Sequence, residues 1–322
     1  MAMMSAPTVM TVTGPMPASA LGIIDAHDHL VMRSPALPGQ DLDDVERTTT
    51  EVRSAKESGI GAIVELTPIG LGRRPELLRR ISEGTGVAVV GATGFHRDVH
   101  YPMGHWALEA PVELLAQRVT SDLLEGMHPT DWDGDAPLDS ARAGVIKAGA
   151  SYQHISEGER RRLAAIAIGS TRSGAAIVVH TEIGTCGHEI VDLLEADGVP
   201  THRVILAHLD RNPDLELHAE IASRGVTLCY DTIGRIKYRP DSMLLDLIEG
   251  MLAAGHGERL LLGLDLGMRD YFAAYGGGPG MRYLLDTFVP RLRRRIGDGP
   301  MDTILVANPA RAFALAPDTA PA

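Results

Sequence analysis

The chain has 322 residues, with 30 Lys and Arg against 42 Asp and Glu, for a net charge of −12. A protein whose main partner is nucleic acid usually carries a basic surface, so this balance argues against one. Hydrophobic residues at 44% and charged residues at 22% exclude intrinsic disorder and collagen-like structure.

In chain order, residues 1–20 contain no Lys or Arg, and Thr, Gly and Pro interrupt their apolar stretches. They read as an N-terminal extension and not as a signal peptide. Short apolar runs follow at 23–27, 62–65, 87–92, 144–147, 175–180, 204–208, 226–230 and 260–265. Short runs of this kind between helical patterns predict buried parallel strands. The helical patterns fall at 41–58, 74–84, 111–126, 156–171, 187–196, 214–223, 241–254 and 280–295. Ser156 and Glu159 make a capping box at the start of one of them. At roughly 150 residues per domain the length would allow two domains. Eight β–α pairs in order instead predict an α/β fold, one (β/α)8 TIM barrel spanning 1–322. Residues 311–322, rich in Ala and Pro, are expected to form a loose tail. Only two cysteines occur, Cys186 and Cys229, and no apolar run approaches the ~20 residues of a spanning helix. A cytoplasmic protein without disulfides or a membrane partner is expected.

The polar residues at the strand ends carry the chemistry. Strand one ends in His27-Asp28-His29, strand four in Lys147, strand five in His180, strand six in His208 and strand eight in Asp265. In such a barrel these ends share one face, where the active site lies. Side chains two apart on a strand point the same way, so His27 and His29 can grip one ion, and Asp265 can complete its site. His180 and His208 can hold a second. Lys147 as an ammonium would repel both ions. As a neutral amine it can add carbon dioxide to give a carbamate, whose two oxygens suit a bridge between two metals. Alone, Lys147 reads as an ion-pairing lysine and Asp265 as a helix cap. The ordered set at five strand ends points to a metal centre. His96, His100, His105, His128, His154, His188, His202, His218 and His256 lack such a placement and are expected mostly on the surface or in loops.

Taken together, these residues resemble the phosphotriesterase family of the amidohydrolase superfamily. The resemblance runs from Thr13-Gly14-Pro15 and Ala26-His27-Asp28-His29-Leu30 through Ala92-Thr93-Gly94-Phe95-His96, Gly144-Val145-Ile146-Lys147, His180-Thr181-Glu182 and His208-Leu209-Asp210-Arg211-Asn212-Pro213 to Asn308-Pro309. It implies two divalent ions, zinc first and manganese or cobalt as alternatives, bridged by carboxylated Lys147 and a hydroxide. His27, His29 and Asp265 would bind one ion, and His180 and His208 the other. The hydroxide would attack the substrate, with Asp265 as the catalytic proton carrier. A homodimer is the family expectation.

Three loop segments, 180–185, 234–242 and 275–280, resemble the branch that acts on phosphorylated sugar lactones. There, basic residues after strands seven and eight hold the substrate phosphate. Lys237 and Arg269 match such positions, with Arg235 and Tyr238 as helpers. The expected substrate is therefore a small anionic lactone. One departure stands out: the branch more often has two adjacent basic residues where this chain has Met268 and Arg269, followed by Asp270. An unphosphorylated lactone stays open, and the same centre would also suit hydrolysis of an organophosphate triester or an N-acyl amide.

Overall fold

The computed structural model describes residues 7–130 and 136–315. A hairpin comes first, β1 (Thr8–Thr11) paired antiparallel with β2 (Gly14–Pro17). Eight parallel strands follow: β3 (Ile23–Asp28), β4 (Ile60–Glu65), β5 (Ala88–Gly94), β6 (Val145–Ala150), β7 (Ile177–Thr181), β8 (Val204–Ala207), β9 (Thr227–Tyr230) and β10 (Leu260–Leu262). Each pairs with its sequence neighbour, from β3 round to β10. The helices between them are α1 (Val45–Ser58), α2 (Pro75–Thr85), the short α3 (Trp106–Glu109), α4 (Val112–Leu124), α5 (Glu157–Ser173), α6 (Gly187–Ala196), α7 (Leu215–Ser223) and α8 (Asp241–Ala253). Asp44 and Asp214 cap α1 and α7, and the expected capping box of Ser156 and Glu159 starts α5. No helix is long and apolar enough to cross a membrane among the described residues.

Alternation along the strands divides the core into two layers. Val64, Val90, Val145, Val178, Ile205 and Leu261 fill the barrel interior. Ile63, Val89, Ile146, Val179 and Leu206 face the helices. The eighth strand is shorter than the predicted run to 265. After Leu262 the chain turns across the gap to β3, where the amides of Leu264 and Asp265 donate to the His27 carbonyl at 3.1 and 2.9 Å. Only a residue without a side chain fits at Gly263, because a Cβ there would lie 2.8 Å from the His27 nitrogen. These bonds close the barrel and bring Asp265 beside His27.

The predicted helix at 280–295 is a π-helical turn, Leu284–Phe288, running into α9 (Val289–Ile296). Two further helices, α10 (Asp298–Asp302) and α11 (Asn308–Phe313), follow. The tail expected from residue 311 is not loose as far as 315. Ala312, Phe313 and Ala314 are buried in the barrel-floor cluster beside Val9, Ala18 and Leu21, and the Leu315 amide donates to the Thr8 carbonyl at 2.8 Å. Residues 316–322 lie outside the described residues. The hairpin and α11 thus form the floor of the barrel and leave its other end for the site.

Candidate active site at the mouth of the barrel

Strand β3 delivers its two histidines by a change of phase. It carries one extra residue against β4 between Asp25 and Asp28, a β-bulge. Ile24 and Ala26 belong to the barrel core, yet His27 and His29 reach the mouth. Two other expected ligands sit on strained backbone. His208 at φ 68° and Asp265 at φ 48° occupy the left-handed region, which costs a residue with a side chain about 1–3 kcal/mol. Both stand where a strand gives way to a loop, and the strain aims them inward.

The six expected ligands converge. Lys147 Nζ lies 3.1 Å from His27 Nε2. Asp265 Oδ1 lies 3.4 Å from His27 Nε2 and 3.3 Å from His29 Nε2. The rings of His27 and His208 are 5.0 Å apart between centroids, and those of His180 and His208 4.4 Å. Donor atoms of His27, His208 and Asp265 all lie within 4.8 Å of one another.

Outer contacts set which nitrogen each imidazole offers. The buried Asp231 carboxylate spans His27 Nδ1 at 2.7 Å and His208 Nδ1 at 2.6 Å, so both rings turn Nε2 to the site. His29 Nδ1 meets the Thr67 hydroxyl at 2.9 Å. His180 is reversed: its Nε2 is bound to Glu182 at 2.7 Å, which leaves Nδ1 as its free donor. Asp231 has no place among the sequence-derived site residues, because it stands one residue past the apolar run at 226–230. An acid one residue past the end of a strand that carries no expected ligand was the available signal.

Protonation suits a cation. Burial, then Lys147, pushes His27 well below the usual imidazole range; burial, then Arg97, does so for His180, and burial, then Arg211, for His208. All three imidazoles are neutral at neutral pH. Burial lowers Lys147 to about 8, so a useful share of its amine is unprotonated. Burial acts to raise Asp265, but Arg235, with His208 and His27, holds it well below the carboxylate range. The two oxygens of Asp265 divide their work. Oδ1 faces the histidines, while Oδ2 is bound by Arg211 at 2.8 Å and by Arg235. Neutral imidazoles and an ionised carboxylate are donors that divalent ions take, and a neutral lysine amine is the form that can become a carbamate.

Above this floor opens a cavity of about 180 Å³. Of the expected substrate contacts, Arg235, Lys237 and Tyr238 line it. Arg269 does not: its guanidinium lies 5.1 Å over the Tyr275 ring, and Asp270 pairs outward with Gln40 at 2.9 Å. Arg211 and Tyr271, absent from the sequence-derived set, line the cavity in its place. Arg211 stacks 4.4 Å over the Tyr238 ring, and Lys237 lies 5.0 Å from Tyr238 and 5.4 Å from Tyr271. Met268 contributes an apolar side chain to the same wall.

The expectation that the other nine histidines lie mostly on the surface or in loops fails for four as regards burial, while His105, His154, His188, His202 and His256 are not buried. His96, His100, His128 and His218 are all buried. His218 is a core residue whose Nδ1 meets the Tyr230 hydroxyl at 2.8 Å. His96 and His100 line the cavity, because the loop after β5 folds over the mouth; Gly149 lets it approach. His96 Nδ1 accepts the Arg97 amide at 2.8 Å, so its proton sits on Nε2.

Comparison with known proteins agrees with this layout. The model of the phosphotriesterase family matches residues 7–313. A phospho-furanose lactonase of Mycoplasmopsis agalactiae is 33% identical over 95% of this chain and 91% of its own. The crystal structure of an amidohydrolase from Mycoplasma synoviae superposes with a TM-score of 0.92 at 30% identity, covering 97% of this chain and 93% of its own. A lactonase from Listeria monocytogenes gives a TM-score of 0.89 at 26% identity, over 96% and 99%. Members of the matched family are enzymes with a binuclear divalent metal centre, and the candidate ligands for one are gathered at this mouth. The chain belongs to the phosphotriesterase family.

Proposed function

We propose that the chain is a metal-dependent lactonase that opens the ring of a phosphorylated furanose lactone. The observation that carries this reading is a cluster of three cations and two tyrosines beside the metal-type donors. Arg211, Arg235 and Lys237 pack on Tyr238 and Tyr271 at one side of a small cavity, with Asp265 as the carboxylate that pairs with two of them. This side has surplus positive charge and suits a phosphate. The names of the lactonase relatives supply the rest.

His27, His29 and Asp265 would hold one ion, His180 and His208 the other, and carboxylated Lys147 both; zinc is the ion we propose. Two such ions supply Lewis acidity and a water acidic enough to attack at neutral pH. Lys147 prepares its own role: the neutral amine adds carbon dioxide and loses one proton. Arg211, Lys237 and the tyrosines fix the anionic end and so orient the ring over the floor. Asp265 takes the proton of the attacking water. Because Arg211 and Arg235 hold its Oδ2, the carboxyl does not keep that proton. It passes to the ring oxygen as the ester bond breaks, and the product is an open hydroxy acid. The two free cysteines and the absence of any disulfide among the described residues suit a cytoplasmic enzyme.

The test is acid release from five-membered lactones with and without a terminal phosphate, on the metal-loaded protein. Phosphorylated lactones are expected to show kcat/KM higher by about tenfold or more. Equal rates on both would remove the phosphate, and faster turnover of phosphotriesters or N-acyl amides would remove the lactone.

A further inference from the structure

The cavity has a second polar wall that the phosphate reading does not use. Arg97, on the loop after β5, and Glu182, in the turn after β7, both line it and form an ion pair at 2.9 Å. Their side chains are only 16% and 23% exposed. They follow different strands and meet because Gly149 leaves room for Arg97, where a Cβ would lie 2.9 Å from Arg97 Cγ and 3.0 Å from its backbone nitrogen.

Charge separates this wall from the other. Arg211, Arg235 and Lys237 face one carboxylate, that of Asp265, so that wall is cationic. Arg97 and Glu182 neutralise each other. An anion placed here would meet the Glu182 carboxylate, and an apolar group would strip water from the pair and leave the free Glu182 Oε1 unsatisfied. A neutral hydroxyl satisfies both, since it donates to the carboxylate and accepts from the guanidinium.

Unused hydrogen-bonding capacity remains on Glu182. Glu182 Oε2 takes the contacts with Arg97 and with His180 Nε2, and Oε1 makes none among the described residues.

We infer that Arg97 and Glu182 form a subsite that reads the ring hydroxyls of the substrate, opposite in character to the cations that take its anion. This rests on the proposed lactonase for the identity of the ring. The substrate class is thereby narrowed to a molecule with an anionic end and a hydroxylated, uncharged body. Glu182 and Arg97 set specificity, and the chemistry stays with the metal-type donors.

The experiment compares a hydroxylated lactone phosphate with its analogue lacking one ring hydroxyl, on the zinc-loaded full chain. Wild type is expected to favour the hydroxylated lactone by about 10- to 100-fold in kcat/KM, mostly through KM. In Glu182→Gln, whose amide oxygen can still accept from His180 Nε2, the preference is expected to shrink to within about threefold with zinc content unchanged. Arg97→Met is the second variant and should shrink it likewise. Equal losses on both lactones would overturn the inference and leave the pair as a support for His180. Should wild type open no lactone at all, the proposed function falls, and calorimetry decides the subsite separately. The probes are then a hydroxylated sugar-acid phosphate and its deoxy counterpart. A preference in Kd that both variants abolish supports the subsite, and equal Kd values in wild type overturn it.

Discussion

Toward its lower end the barrel interior is apolar, with Val64, Val145, Val178 and Leu261 under the cover of Val9, Leu21 and Phe313. Two residues beyond Val145 on the same strand stands Lys147, and two beyond Val178 stands His180. His27, His208 and Asp231, all buried, and the partly buried Asp265 complete a polar layer around them. The lower layer holds the fold together by removing apolar surface from water. The upper layer works the other way. Each buried ionisable group pays for its desolvation only in part through its neighbours, and such sets are kept for chemistry more than for stability. Substitutions in the two layers should therefore separate activity from stability.

The largest effect is expected at Lys147. Lys147→Ala removes the bridging group, and metal content should fall with kcat/KM, by on the order of a thousandfold or more. The metal-free variant should melt no lower than metal-free wild type, because a buried amine has been removed. Elemental analysis and calorimetry check both halves. Full metal occupancy in the variant would remove the bridge, and a Tm lower by more than about 5 °C would show that the upper layer also carries the fold.

Phe313→Ala is the opposite case. The ring is buried at the floor, and its loss should cost about 3–5 kcal/mol of stability. kcat and metal content should stay at the wild-type level under conditions where the variant is folded. Denaturant titration beside steady-state kinetics measures both. A parallel fall in kcat would mean that the two ends of the barrel are mechanically coupled.

How much of this was legible in the sequence follows the same division. Candidate ligands near strand ends were readable because the C-terminal ends share one face: His27, His29, Lys147, His180, His208 and Asp265 all meet, although a bulge in β3 and the turn after β10, which alternation does not foretell, deliver three of them. The loops were not readable in that way. Arg97, Arg211 and Glu182 reach the cavity through the paths of three separate loops, and sequence spacing is silent about those. The loop after β10 shows why. Its course is set by distant partners: Gln40 holds Asp270, Tyr275 bonds the Asp44 backbone at 3.0 Å, and the buried Glu51 carboxylate accepts the amides of Ala274 and Met281. None of these contacts is local, so the direction of Arg269 could not be read from its neighbours. The floor was missed for a different reason. An Ala- and Pro-rich terminus looks loose until a hairpin more than 290 residues upstream is seen to cover it.

That loop also supplies the smallest and most discriminating contrast. Lys237 and Arg269 carry the same charge and both match phosphate-holding positions by sequence. Lys237 points its ammonium between Tyr238 and Tyr271 at the cavity wall, while Arg269 lies on Tyr275 outside it. A charge in contact with a bound anion matters far more than one whose field reaches it through solvent. Lys237→Ala should thus raise KM for a phosphorylated lactone by about 10- to 30-fold and leave KM for its unphosphorylated counterpart unchanged. Arg269→Ala should change either by less than about twofold. Steady-state kinetics on the two lactones at two salt concentrations measures this. If Arg269→Ala matched Lys237→Ala on the phosphorylated lactone alone, the loop after β10 would have to swing inward when substrate binds. The Gln40, Asp44 and Glu51 contacts that hold it outward would then be the ones broken.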